Sequence, residues 1–477
     1  MSEFDTVIAN GTIATAADVV KCDIGISGGR IVALGERIAG GARRIDAAGK
    51  LVLPGGVDAH CHFDQPTSDG SVMADDFLTG SRSALCGGTT TVIPFAVQRK
   101  GMSLRASVED YHRRAEGKAM IDYAFHLIVS ETSEQVLGQE LPALIRDGYT
   151  SFKIYMTYDD LKLDDRQILD VLALARSEQA MVMIHAENTD CIAWLTERLE
   201  QAGKTGPRFH AVSRPMPVER EATHRAITLA ELVDVPVLIV HVSGREAVEQ
   251  IRWAQARGLK IFAETCPQYL VLTEDDLGKP DFEGAKCICS PPPRDKANQQ
   301  AIWDGLAGGV FQVLSSDHAP FRFDGPDGKR VAGADAPYRK VPNGVPGVET
   351  RLPILFSEGV AKGRITLQQF VALTAANPAR IYGLAQRKGT IAVGADADLA
   401  IWEPERRATI RNANLHHAVD YTPYEGLEVT GWPVTTLSRG EVVWDGGRVL
   451  AEPGRGRFLP CELPEAARTA GRGTWRW

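Results

Sequence analysis

Hydrophobic and polar positions divide the chain into stretches with different periods. Between residues 55 and 387, short apolar and β-branched runs alternate with longer segments whose apolar positions return every three or four residues. The short runs read as buried strands and the longer segments as amphipathic helices. Eight strands are expected, at 55–62, 89–96, 123–129, 150–156, 180–187, 236–243, 260–266 and 311–317. Helical patterns fill the gaps, as in 165–176. Repeated strand–helix units of this kind predict an α/β fold, a (β/α)8 barrel with insertions. A doubly wound open sheet is the alternative. No Gly-x-Gly-x-x-Gly follows the first strand, which counts against a dinucleotide fold.

The two ends have another texture. Residues 1–54 read as short strands and turns: Thr6-Val7-Ile8-Ala9 runs into Asn10-Gly11, a hairpin signal, and Ser27-Gly28-Gly29 divides two more strands. Similar strands return in 388–450, including Leu399-Ala400-Ile401-Trp402 and Glu441-Val442-Val443-Trp444. Neither end has enough apolar residues for its own core. Together they are expected to form one small β-sandwich domain around the barrel of 55–387, rather than two unrelated modules. Residues 451–477 form a tail with Arg455, Arg457, Arg468, Arg472 and Arg476, read as a disordered or subunit-clasping arm in preference to an anion-binding one.

Composition adds exclusions. The chain has 477 residues, 44% hydrophobic and 24% charged, with net charge −8. That size suits one large barrel plus a smaller module, and the acidic balance argues against nucleic acid as a partner. No apolar run is long enough to cross a membrane. The start, Met1-Ser2-Glu3-Phe4-Asp5, lacks the basic and apolar regions of a secretory signal. The eight cysteines are scattered without a C-x-x-C pair, as in a reduced, cytoplasmic protein.

The candidate chemistry starts at Gly55-Gly56-Val57-Asp58-Ala59-His60-Cys61-His62. Residues two apart on a strand share a face, so His60 and His62 project side by side. Such a pair alone is more often a polar edge or a satisfied core pair than a ligand set. The later strand ends supply Lys153, His185, His241 and Asp317. Singly, His185 and His241 read as core histidines and Asp317 as a helix cap. Together, these imidazole and carboxylate groups gather at the catalytic end of one barrel, where they suit zinc and other divalent ions. Lys153 is a misfit beside cations unless burial lowers its pKa and the neutral amine takes up carbon dioxide to become an anionic carbamate. Its alternative is an ion pair with Asp159 or Asp160.

These residues, with Ala74-Asp75-Asp76-Phe77, Ser151-Phe152-Lys153, His185-Ala186-Glu187-Asn188, Ser213-Arg214-Pro215, Ser290-Pro291-Pro292, Pro342-Asn343-Gly344 and Gly394-Ala395-Asp396-Ala397-Asp398, make the chain resemble the dihydropyrimidinase and hydantoinase branch of the cyclic amidohydrolases over nearly its whole length. The resemblance implies a binuclear site, with zinc first among the candidate metals. His60, His62 and Asp317 would hold the buried ion, His185 and His241 the outer one, and N6-carboxylated Lys153 and a hydroxide would bridge them. It further implies that Tyr158 polarises the substrate carbonyl and that Ser290 and Asn343 hold the ring amide, largely through backbone groups. Asp317 would relay a proton, and Tyr155 would line the pocket. The implied reaction opens a hydantoin or dihydropyrimidine to an N-carbamoyl amino acid, in a homotetramer or homodimer. Allantoinase or another cyclic imide hydrolase is the alternative, and a metal-free scaffold the reading from outside enzymes. Two features stand apart. Gln65 occupies a place that is commonly aliphatic in dihydropyrimidinases, in the loop that shapes the pocket for the ring substituent. The polar, Gly-rich segment 321–341 reads equally as a lid or a solvated loop.

Overall fold

In the computed structural model, which describes residues 3–333 and 335–471, the middle of the chain is a parallel barrel. Its strands are Gly56–Cys61, Thr89–Val97, the split pair Asp122–Tyr123 and His126–Ile128, Ser151–Tyr155, Met181–His185, Val237–Ile239, Ile261–Thr265 and Val313–Leu314. Each pairs in parallel with the next along the chain. Between the last and the first, the ladder shrinks to one bridge, Cys61 to His318, beside a bond in which the Asp317 backbone N–H donates to His60 O at 2.8 Å. The strands are buried apolar runs because helices cover the outside of the barrel. One covering helix, Asp165–Glu178, buries Ile168, Val171, Leu172 and Ala175. Its start is set by Asp164, whose carboxylate accepts from the Gln167 backbone N–H while the Gln167 side-chain oxygen accepts from the Asp164 backbone N–H.

Both chain ends build the small β domain. One sheet holds Thr6–Ala9, Asp23–Ser27, Arg30–Gly35 and Arg43–Asp46. The other joins Thr12–Ala14, Val19–Lys21 and Leu51–Pro54 to Leu399–Thr409, Glu428–Ser438 and Glu441–Trp444. Leu51–Pro54 runs antiparallel to the C-terminal strand, with Val52 opposite Ile401. Ile8, Ile24 and Ile26 from one sheet meet Val52, Leu399 and Ile401 from the other in a shared core. The Asn10-Gly11 hairpin does not form. Thr6–Ala9 pairs with Asp23–Ser27, whereas Thr12–Ala14 pairs with Val19–Lys21 in the other sheet, so this turn carries the chain across the sandwich. A Cβ on Gly11 would come within 2.7 Å of Val52, so the glycine serves close sheet packing.

Residues 456–461 lie against the chain's own barrel, at the end where the strands begin. Gly456, Leu459 and Cys461 donate backbone bonds to Ala119, Tyr123 and Gly148, and Phe458 stacks on Tyr149. Arg455 is paired with Glu441 at 2.8 Å. Arg472 and Arg476 of the expected arm lie outside the described residues.

The junction between β domain and barrel is ionic and largely buried. Buried Lys388 Nζ lies 2.7 Å from Asp122 and Asp398 and 3.0 Å from Asp396. Arg439 bonds to Asp122, and Arg387 lies 3.0 Å from Asp396. The Gly-Ala-Asp-Ala-Asp run is therefore a counter-charge for Lys388. Lys388→Met leaves carboxylates buried without their shared cation and should destabilise the protein by about 3–5 kcal/mol. A urea unfolding midpoint unchanged by the substitution would show that the junction does not depend on this pairing.

Candidate active site

The C-terminal strand ends open into a cavity of about 740 Å³ whose lining includes His62, Lys153, Tyr158, His185, His241, Ser290, Asp317 and Asn343. His60 lies beneath, fully buried. Asp317 Oδ1 is 3.2 Å from His60 Nε2 and 3.4 Å from His62 Nε2, so these three side chains can hold a metal ion. Lys153 Nζ lies 2.8 Å from His60 Nε2. The rings of His185 and His241 are 4.5 Å apart, and His241 is 5.4 Å from His60. All six side chains expected at the strand ends thus meet at one floor. Lys153 does not take the alternative ion pair: Asp159 is bound to Lys162 at 2.6 Å and Asp160 accepts from Ser68 at 2.7 Å.

Burial dictates the charge states. It lowers the pKa of His60, His185 and His241, which favours neutral imidazole with a lone pair to offer. Burial also lowers Lys153, against the pull of Asp317 and Glu264. Burial raises Asp317, but the imidazoles of His60, His241 and His62 prevail and hold it well below the usual carboxylate range. Tyr158 is pushed up to about 12, mainly by burial, and keeps its proton at neutral pH. Its ring lies 5.2 Å from His185. Tyr155 stacks on His185 at 5.4 Å and lines the cavity, as expected. Ser290 Oγ donates to Asn343 Oδ1 at 3.1 Å, which brings the two predicted substrate contacts together.

Sequence reasoning gave no role to the groups behind these, although Glu187 and Arg214 stood in its motifs. Glu264 Oε1 lies 2.6 Å from His60 Nδ1 and accepts from the His241 backbone at 3.2 Å. Glu187 Oε2 lies 2.8 Å from both His185 Nε2 and Arg214 Nη1. Burial alone would raise the Glu187 pKa, but Arg214 and His185 bring it to about 2. A carboxylate at the end of an apolar strand, as in Ile261–Thr265, was the available signal for Glu264. Lys329 carried no such signal. It lies in the segment 321–341, of whose described residues Phe321, Phe323 and Tyr338 are buried, and Phe321 lines the cavity. Burial draws Lys329 down to about 7, and its Nζ donates to the carbonyls of Pro342 and Gly344 at 2.6 Å and Ile288 at 3.1 Å. These carbonyls flank Ser290 and Asn343.

The amidohydrolase family model matches residues 51–443. The chain is 46% identical to a D-hydantoinase of Geobacillus stearothermophilus over 456 residues, covering 95% of this chain and 96% of that one. A D-hydantoinase of Ralstonia pickettii is 44% identical, with 95% and 98% covered. The crystal structure of a dihydropyrimidinase from Brevibacillus agri superposes with TM-score 0.94 at 43% identity, over 97% of this chain and 99% of that one. The chain belongs to the hydantoinase branch of the amidohydrolase family. It is a hydantoinase-type cyclic amidohydrolase, an enzyme that hydrolyses cyclic amides. Among the described residues no helix is long and apolar enough to cross a membrane.

In this hydantoinase-type barrel, Lys329→Met removes the common donor to three buried carbonyls: Ile288 O keeps the Gly344 N–H, while Pro342 O and Gly344 O lose the ammonium, at about 1–3 kcal/mol each when unsatisfied. Amide hydrogens at 288–290 and of Asn343 and Gly344 should then exchange at least about tenfold faster. Unchanged protection would mean that the segment is held by its aromatic packing alone.

Proposed function

We propose that the protein opens the ring amide of hydantoins or dihydropyrimidines to give N-carbamoyl amino acids, using two divalent metal ions, zinc first. The observation that carries this reading is the convergence of four imidazoles, one carboxylate and a desolvated lysine on the floor of one cavity. The donor set fits such ions. Neutral imidazole and carboxylate are ordinary zinc ligands, and His241 Nδ1 is buried with no partner among the described residues.

His60, His62 and Asp317 would hold one ion and His185 and His241 the other, with carboxylated Lys153 between them. Carboxylation joins the neutral amine to carbon dioxide and releases one proton, and the lysine becomes an anion. When bound, the ions supply a water acidic enough to attack at neutral pH and a charge that polarises the amide carbonyl. The remaining steps fall to the protein. Tyr158 donates its O–H to the carbonyl oxygen as negative charge grows there. Asp317 Oδ1 is engaged by His60 and His62. Its Oδ2 is left to accept the nucleophile's proton and deliver it to the ring nitrogen as the C–N bond breaks. Ser290 and Asn343, joined to each other, hold the ring amide. The cavity exceeds a simple ring, which leaves room for a ring substituent.

The deciding experiment supplies zinc and bicarbonate and offers dihydrouracil, 5-substituted hydantoins, allantoin and succinimide. Turnover of dihydrouracil or hydantoins supports the reading. Turnover of allantoin or succinimide alone replaces the substrate class, and protein that takes up no metal and turns over none of these returns the metal-free scaffold reading. Lys153→Ala should lose bound metal by elemental analysis and all activity, while circular dichroism still reports a folded barrel. A fully active alanine variant overturns the carbamate. Tyr158→Phe should retain its metal and lower kcat by about 10²–10³, the usual loss for one oxyanion donor. Undiminished turnover would assign the role to another donor. A cytoplasmic enzyme of two or four copies belongs to the same reading, and light scattering measures the copy number.

A further inference from the structure

The loop after the first barrel strand contains a feature that ring-substituent selection does not explain. Gln65 Oε1 lies 2.6 Å from His62 Nδ1. A neutral imidazole has one N–H. If Nδ1 carries it and donates to the Gln65 carbonyl, Nε2 keeps its lone pair, and Nε2 is the atom 3.4 Å from Asp317. The same arrangement recurs beneath the site with carboxylates: Glu264 faces His60 Nδ1 and Glu187 faces His185 Nε2. Gln65 is the uncharged member of this set.

The backbone that carries Gln65 is anchored. Asp64 N–H donates to Asp75 O at 2.9 Å. Arg114 Nη1 donates to both Asp64 O and Asp64 Oδ1 at 3.0 Å. The amide therefore stands on a tethered turn. Partners of this kind set the tautomer and orientation of a ligating ring, and their loss typically costs 10–100-fold in metal affinity.

We propose that Gln65 is a positioning residue for metal binding: it fixes His62 in the tautomer that offers Nε2 to an ion shared with His60 and Asp317. The inference rests on the binuclear reading above. The test compares zinc-loaded wild type, Gln65→Leu and Gln65→Glu for zinc content and for the rate of zinc transfer to a chromogenic chelator. Wild type should hold two zinc ions. Gln65→Leu should release one of them about 10–100-fold faster, while the metal-free proteins melt alike. Gln65→Glu, which restores an acceptor at the same place, should release zinc within a few-fold of wild type. Wild-type release rates for both ions in Gln65→Leu overturn the proposal. So does release from Gln65→Glu as fast as from Gln65→Leu, because packing and not the acceptor would then be at work. Wild type that takes up no zinc overturns the binuclear reading itself, and the two failures are thereby told apart.

Discussion

A charge or polar ring buried in a dry barrel must be answered by another group, and that requirement organises this molecule. Lys388 is answered by three aspartates, and the β domain is thereby tied to the barrel. Arg351, fully buried, spans Leu314 O, Thr89 and the carboxylate of Asp58, and so joins the last barrel strand to the first two. Lys329 is answered by three carbonyls and Arg214 by Glu187. At the floor of the cavity the account stays open. Lys153 is fully buried with an imidazole nitrogen as its nearest hydrogen-bonding partner, and His241 Nδ1 has none among the described residues. His60, His62 and Asp317, gathered at this floor, offer their lone pairs to a metal cation.

Much of this was legible in the chain. The barrel strands could be read because each is a buried run punctuated by a helix of another period. The residues at the strand ends could be read because strand periodicity and barrel topology together fix where side chains converge. Asn10-Gly11 misled for a physical reason: the dipeptide favours a positive φ, and Asn10 has one of 63°, but a positive φ serves a sheet-to-sheet crossing as well as a hairpin. The partners Glu264, Lys329 and Gln65 were hidden because their roles depend on proximity in space. Glu264 is 204 residues from His60 in sequence. Gln65 lies only three residues from His62, yet its side chain reads equally well as pocket wall.

The site also strains the backbone that builds it. Tyr158, His241 and Asp317 have φ of 71°, 39° and 48°, in a region that side chains with a Cβ enter reluctantly. Each such residue costs on the order of 1–3 kcal/mol and persists only where its surroundings over-determine it. Here the surroundings are the barrel ladder and the packed segment above it. The apolar strands and outer helices thus hold an arrangement that the local sequence would not choose.

Because the barrel closes through one bridge and the Asp317–His60 backbone bond, the first strand's histidines meet their carboxylate only after the intervening chain is in place. Ser316 and His60, joined across that seam, are 256 residues apart. During synthesis the two imidazoles emerge long before their partner. Contacts of such sequence separation form late, since the loop must close before they reward it. The set of His60, His62 and Asp317 is then complete only once this seam has closed. A nascent chain that stops short of Asp317 carries the two imidazoles without the carboxylate that meets them across the seam.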